Sequence, residues 1–138
     1  MVGVSRDQRH FSRLVMREFL AAGYDAIPVN PQATEIEGHR CFARLGEVTP
    51  PVDAALLLTG ASDTTYQAIR ECHEANIRNI WIYKSLHNGP DHEREVEHGR
   101  SQRHANVEGY CPLMFLPRPQ LVHRVHRFLV KVAGHYPL

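Results

Sequence analysis

The run Asp53-Ala54-Ala55-Leu56-Leu57-Leu58 is apolar almost throughout. That pattern fits a strand buried on both faces, and hence a parallel sheet covered by helices. The segments around it alternate in a way that supports such a sheet. Met1 to Ser5 is a short apolar piece ending in Gly and Ser. Phe11, Leu14, Val15, Phe19 and Ala22 then recur at helical spacing until Gly23 stops the pattern. Tyr24 to Val29 reads as a second strand closed by the turn-forming Asn30-Pro31, with a short extended piece near Cys41-Phe42-Ala43 in the loop that follows. After Leu58, Thr59-Gly60-Ala61 breaks the run. Ser62 or Asp63 can cap a helix whose Tyr66, Ile69, Cys72 and His73 share a stripe ending near Asn76. Ile80 to Tyr83 gives a fourth strand, residues 91–104 a polar helix, and Asn106 to Glu108 a short last strand. Leu121, Val125, Phe128, Leu129 and Val132 then mark one face of a terminal helix over residues 120–133.

The expected fold class is therefore α/β: a three-layer, doubly wound parallel sheet of about five strands with flanking helices and a C-terminal amphipathic helix. Right-handed crossovers put the ligand loops of such a sheet at the carboxyl ends of its strands. The loops to inspect are residues 3–13, 29–32, 59–62, 83–89 and 108–112. At 138 residues the chain suits a single domain over 1–138.

A formal charge of +1 gives no general attraction to nucleic acid or membrane, so any anion site has to be local. The chain has neither a basic stripe interleaved with aromatics nor an apolar run of the roughly 20 residues that spans a bilayer. Its first residues lack the parts of a secretory signal, which makes the cytoplasm the default location. Cys41, Cys72 and Cys111 are odd in number and far apart, suiting neither a disulfide framework nor a paired zinc site. His92 and His98 flank an apparent His-Glu pattern but stand six apart, on different sides of a helix. His123 and His126 share a face and have no third ligand. No metal site is expected.

Gly3-Val4-Ser5-Arg6-Asp7 leads from the first strand toward a helix. There a glycine admits close backbone approach, and free N–H groups at the positive helix end attract phosphate. Ser5, Ser12, Arg6 and Arg13 add donors. The segment reads either as a pyrophosphate cradle or as a tight strand-to-helix turn with solvated arginines, since a full G-x-G-x-x-G is absent. At the end of the second strand, nicotinamide-binding domains place an Asp or Glu for the ribose. This chain has Val29-Asn30-Pro31, which speaks against NAD.

Six segments in this order and spacing resemble the small bacterial CoA-binding domain proteins, single-domain relatives of the CoA-binding part of the succinyl-CoA synthetase alpha subunit. They are Gly3-Val4-Ser5-Arg6-Asp7, Ala22-Gly23-Tyr24 with Ile27-Pro28-Val29-Asn30-Pro31, Ile36-Glu37-Gly38, Pro51-Val52-Asp53, Trp81, and Cys111-Pro112. The resemblance runs to about Pro117 and implies a Rossmann-like fold that binds coenzyme A or an acyl-CoA. It implies that Gly3, Val4, Ser5 and Arg6 meet phosphate and that Ser12 and Arg13 sit at the helix start. Val29, Asn30 and Pro31 would lie beside the adenosine, and Thr59 and Gly60 along the ligand's path.

The chain departs from the pattern at Ser12, where relatives commonly have Gly. It departs again at Trp81-Ile82-Tyr83-Lys84-Ser85, where they often read Trp-x-Gln-x-Gly, and at Tyr110 before Cys-Pro. Lys84 becomes a candidate phosphate partner, and Cys111, at a strand-end loop, a candidate beside the ligand. No catalytic residue is assigned, and the phosphohistidine of the synthetase belongs to a domain absent here. The expected function is a non-catalytic binding module, as carrier, sensor or partner of another enzyme, with a homodimer open to it. The alternative is a small enzyme acting on a CoA- or nucleotide-linked substrate through Cys111 or Lys84.

Overall fold

The computed structural model describes residues 1–59, 62–83, 105–108, 110–117 and 131. Expectations for Gly60, Lys84, the polar helix over 91–104 and the terminal helix over 120–133 lie outside the described residues, as does side-chain capping by Ser62 or Asp63. The apolar run forms a strand made interior to the sheet by the Val2 bridge on one side and a paired strand on the other. With a short hairpin (β1, Glu35–Ile36, and β2, His39–Arg40) preceding it, this strand is β3, Ala54–Leu57. It pairs in parallel with β4 (Asn79–Ile82), and β4 pairs in parallel with β5 (Ala105–Glu108).

Alternation along β3 distributes its side chains between two cores. Ala55 and Leu57 pack with Ile69, Cys72, Ile80 and Ile82, whereas Leu56 and Leu58 pack with Val4, Val15, Met16 and Leu113. The first set lies under helix α2 (Ser62–Glu74) and the second under helix α1 (Phe11–Ala21). Ala55, Leu56, Leu57 and Leu58 are all buried, as a strand covered on both faces requires.

The strands expected at Met1 to Ser5 and Tyr24 to Val29 are reduced to isolated bridges, in which Val2 pairs in parallel with both Val29 and Leu57, and Val29 with Phe42. The ladder is cut short for local reasons. Pro28 has no N–H to donate, and Gly3 turns the backbone away at φ +83°. The bonds that remain run from Val2 N–H to the Leu56 carbonyl (2.9 Å), from Leu58 N–H to the Val2 carbonyl (2.8 Å) and from Gly3 N–H to the Val29 carbonyl (3.0 Å). Read through these bridges, the order across the sheet is Phe42, Val29, Val2, β3, β4, β5. The direction of chain progression reverses at Val2.

The hairpin is absent from the sequence expectation, which has a loop there. Its two-residue turn is Glu37-Gly38, both left-handed at φ 51° and 75°, as a tight hairpin turn demands. Both helices are rotated from the expected stripes. In α1, Ser12 and Arg13 are buried with Val15 and Met16, and Leu14 is 37% exposed, because the two polar side chains satisfy groups of the preceding loop. In α2 the buried set is Thr65, Ala68, Ile69 and Cys72, leaving Tyr66 and His73 exposed. Asn76, left-handed at φ 57°, ends that turn, and Ile77 N–H reaches back to the Cys72 carbonyl at 2.8 Å. Among the described residues no helix is long and apolar enough to cross a membrane.

Candidate functional site

The loop over residues 3–10, between the Val2 bridge and α1, lies at the carboxyl ends of the strands. A Cβ on Gly3 would stand 3.0 Å from Thr59 Cγ2 and 3.1 Å from the Leu58 carbonyl carbon. Only glycine allows this approach, which brings the loop against the end of β3. The Thr59 hydroxyl pairs with that of buried Thr65, tying the strand end to α2. Val4 is fully buried, so this residue offers a ligand its backbone alone.

The loop is closed by its own side chains. Ser5 N–H donates to Ser12 Oγ (2.9 Å), Asp7 N–H to Ser5 Oγ (3.1 Å) and Arg9 N–H to Asp7 Oδ1 (2.9 Å). His10 caps the helix, its Nδ1 accepting from Ser12 N–H at 3.2 Å and lying 2.8 Å from Ser12 Oγ. Asn30 joins this loop to the next. Its Nδ2 donates to the Val4 carbonyl (2.7 Å), and its Oδ1 accepts from Gln32 N–H (2.8 Å). Asn30 is thus a staple between the two loops as well as a turn former.

The two arginines have different environments. Arg13 Nε donates to Glu37 Oε1 at 2.7 Å and its Nη1 to the Ser5 carbonyl at 3.3 Å, with the side chain 9% exposed. Arg17 Nη1 reaches the same Glu37 oxygen at 2.9 Å. Much of Arg13's hydrogen-bonding capacity, and its charge, is therefore met inside the protein. Ser12 is engaged in the same way. Arg6 is exposed and has no ion pair among the described residues. Arg9 is likewise exposed without an ion pair among the described residues, but Arg6 is the one that lines the cleft beside this loop.

Arg13's hydrogen bond, above all, holds the Glu37 carboxyl below its usual range; burial opposes this, while both arginine charges and the Arg17 hydrogen bond add to the lowering. A lowered carboxyl pKa stabilises the fold above the unfolded value, and that stabilisation is lost as pH falls through the folded one. The urea midpoint is thus expected to decline as pH drops below about 4.5, and Glu37→Gln to flatten that decline. An unchanged profile in the variant would refute the assignment.

Arg6, Arg13 and the segment Pro31, Gln32, Ala33, Thr34 and Glu35 line one open cleft of about 600 Å³. Gly3, Ser5, Asn30 and Thr59 shape the loops beside it, close to where the chain order reverses at Val2. A larger groove of about 830 Å³ runs between α2 and the 3-10 turn Leu45–Glu47. It mixes Arg44 and Arg70 with Glu47, Glu71 and Glu74, offers no net field for an anion and lies toward the amino ends of β3 and β4 rather than their carboxyl ends. An apolar hollow of about 590 Å³, lined by Phe19, Tyr24, Ile27 and Trp81 among others, lies at the strands' amino ends.

Cys111 precedes the 3-10 turn Pro112–Phe115, half-buried on the β4 side of the sheet. Burial pushes its thiol up, although the backbone amides of Leu113 and Met114 pull the other way. An activated nucleophile needs the opposite shift. Tyr83 is also raised, first by burial and then by Cys111, and its ring stands 4.9 Å from that of Phe11. Trp81 donates from Nε1 to the Tyr110 carbonyl at 3.2 Å and meets Phe115 edge-on. Among the described residues no group of three or more acidic, His or Cys side chains could hold a metal ion.

Sequence reasoning missed Glu35 as a cleft residue and Glu37 as the partner of Arg13. The short alternation Glu35-Ile36 before Glu37-Gly38 is the signal that could have exposed the hairpin carrying both.

Three comparisons bear on the family. The CoA binding domain model matches residues 1–117. The uncharacterized protein YneT of Bacillus subtilis is 28% identical over 101 residues, 73% of this chain and 74% of that protein. Among solved structures, a conserved hypothetical protein of Pyrococcus furiosus superposes with a TM-score of 0.70 at 23% identity, covering 80% of this chain and 90% of that one. A dinucleotide-forming acetyl-coenzyme A synthetase of Ca. Korarchaeum cryptofilum superposes with a TM-score of 0.68 at 24% identity, over 78% of this chain but 25% of the synthetase. At these identities the superpositions establish the fold, a small mixed α/β domain with a parallel sheet and helices. The family rests on the domain match, which spans most of the sequence: the chain belongs to the CoA binding domain family.

Proposed function

We propose that this protein binds coenzyme A or an acyl-CoA as a non-catalytic module. In this reading the pyrophosphate meets the Arg6 side chain and the N–H groups of Val4 and Arg6, those of Gly3 and Ser5 being bonded within the protein, and the adenosine lies against Pro31 to Glu35. The remainder passes Thr59-Gly60 toward the loops of Lys84 and Cys111. The carrying observation is that Arg6, without an ion pair among the described residues, and the loop after Val29 line one cleft near the reversal in strand order, where doubly wound sheets bind nucleotides. The reading extends to the fold: a Rossmann-like, three-layer, doubly wound sheet of about five strands in one domain, with the terminal helix over 120–133 covering it or joining two copies. The raised Cys111 thiol favours a binding role over thiol catalysis.

Thermal unfolding with coenzyme A, acetyl-CoA, NAD, NADP and ATP tests this. A ligand that binds only the native state adds about 2.7 kcal/mol of stability at a hundred times its Kd. The expected result is a midpoint raised by several degrees with the coenzyme A forms and little changed with NAD. No shift with either coenzyme A form would sink the reading.

A further inference from the structure

The charges around the cleft do not suit every part of coenzyme A equally. Arg13 shares the Glu37 carboxylate with Arg17, leaving Arg6 as the cation of the lining without an ion pair among the described residues. The opposite wall, Pro31, Gln32, Ala33, Thr34 and Glu35, has no cation and one carboxylate. Glu35 has no ion pair or side-chain hydrogen bond among the described residues. Its cross-strand neighbour is Arg40, but that guanidinium lies over the Phe42 ring, 4.7 Å from the centroid, and no salt bridge joins the two. The wall is held in place because Ile36 is 2% exposed, and Arg13 and Arg17 both grip Glu37 at the turn.

We propose that Glu35 is a specificity-determining residue that directs this cleft toward an adenosine 5′-diphosphate unit with free ribose hydroxyls, and against one with a 3′-phosphate. The proposal rests on the coenzyme A reading and narrows it. A diphosphate takes the one available guanidinium. Within the described lining of the cleft, a further phosphate on the ribose finds no second cation without an ion pair and faces a carboxylate, whereas ribose hydroxyls are donors to a carboxylate. Dephospho-coenzyme A is the ligand this wall favours.

Calorimetric titration of the full chain with dephospho-coenzyme A and coenzyme A, in wild type and Glu35→Gln, tests it. Glu35 is exposed, so the variant should keep the wild-type thermal midpoint, which is checked first. Wild type should bind dephospho-coenzyme A about three- to tenfold more tightly, and Glu35→Gln should remove most of that preference, as expected for one partly screened charge. Tighter binding of coenzyme A by wild type, or a ratio unchanged in the variant, overturns the proposal. If neither form binds, the coenzyme A reading has failed, and ADP against adenosine 3′-phosphate 5′-diphosphate decides this one. A Glu35-dependent preference for ADP sustains it, and no preference overturns it.

Discussion

Arg6→Ala lowers the affinity for coenzyme A by about ten- to a hundredfold and leaves the unfolding midpoint where it is in wild type. Both halves of this expectation follow from the same side chain. Arg6 is exposed and makes no ion pair among the described residues, so removing it opens no cavity and orphans no partner. As the free cation of the cleft, its contribution to a phosphate is a charge-assisted hydrogen bond of about 1.5–3 kcal/mol. Isothermal titration at two salt concentrations checks this. The variant should be weaker and also less sensitive to salt, because one ionic contact has gone. An affinity within twofold of wild type would move the phosphate away from this loop.

Arg13→Met has the complementary phenotype, with stability falling by about 2–3 kcal/mol. Breaking a buried ion pair by removing one partner costs about 3–5 kcal/mol, because the other charge is left without compensation. Here Glu37 is 19% exposed and keeps Arg17, which reduces the penalty. The Ser5 carbonyl also loses a donor. Urea unfolding measures the change, and the double variant with Glu37→Gln separates the pair from the packing of the arginine stem. The double variant should lose less than the sum of the two single changes. A cost below about 0.5 kcal/mol for Arg13→Met would show that the hairpin is held by Ile36 alone.

The interior strand β3, both helices and the parallel pairing were legible because each rests on a local pattern. A continuous apolar run at 53–58 and apolar residues at helical spacing from 11 and from 66 say what the backbone does before any tertiary contact forms. The rotation of α1 was hidden. Leu14 looks like a core residue and Ser12 like a surface one until the loop over residues 3–10 is folded and needs Ser12 Oγ as its acceptor. The same applies to the site. The loops and the candidates Gly3, Arg6, Asn30 and Thr59 could be listed from the chain, but the division of labour between Arg6 and Arg13 depends on Glu37, which stands 24 residues away from Arg13. The hairpin escaped notice because a glutamate in a left-handed turn is a poor statistical signal, and only its two arginine partners explain why it is there.

That glutamate places one position under opposed demands. The backbone at 37 suits glycine or asparagine, and a glutamate there costs about 1–2 kcal/mol. The guanidiniums of α1 require a carboxylate at that point. A substitution that relaxes the backbone abandons the arginines, and one that keeps the charge keeps the strain. Sequence drift at this position therefore has little room.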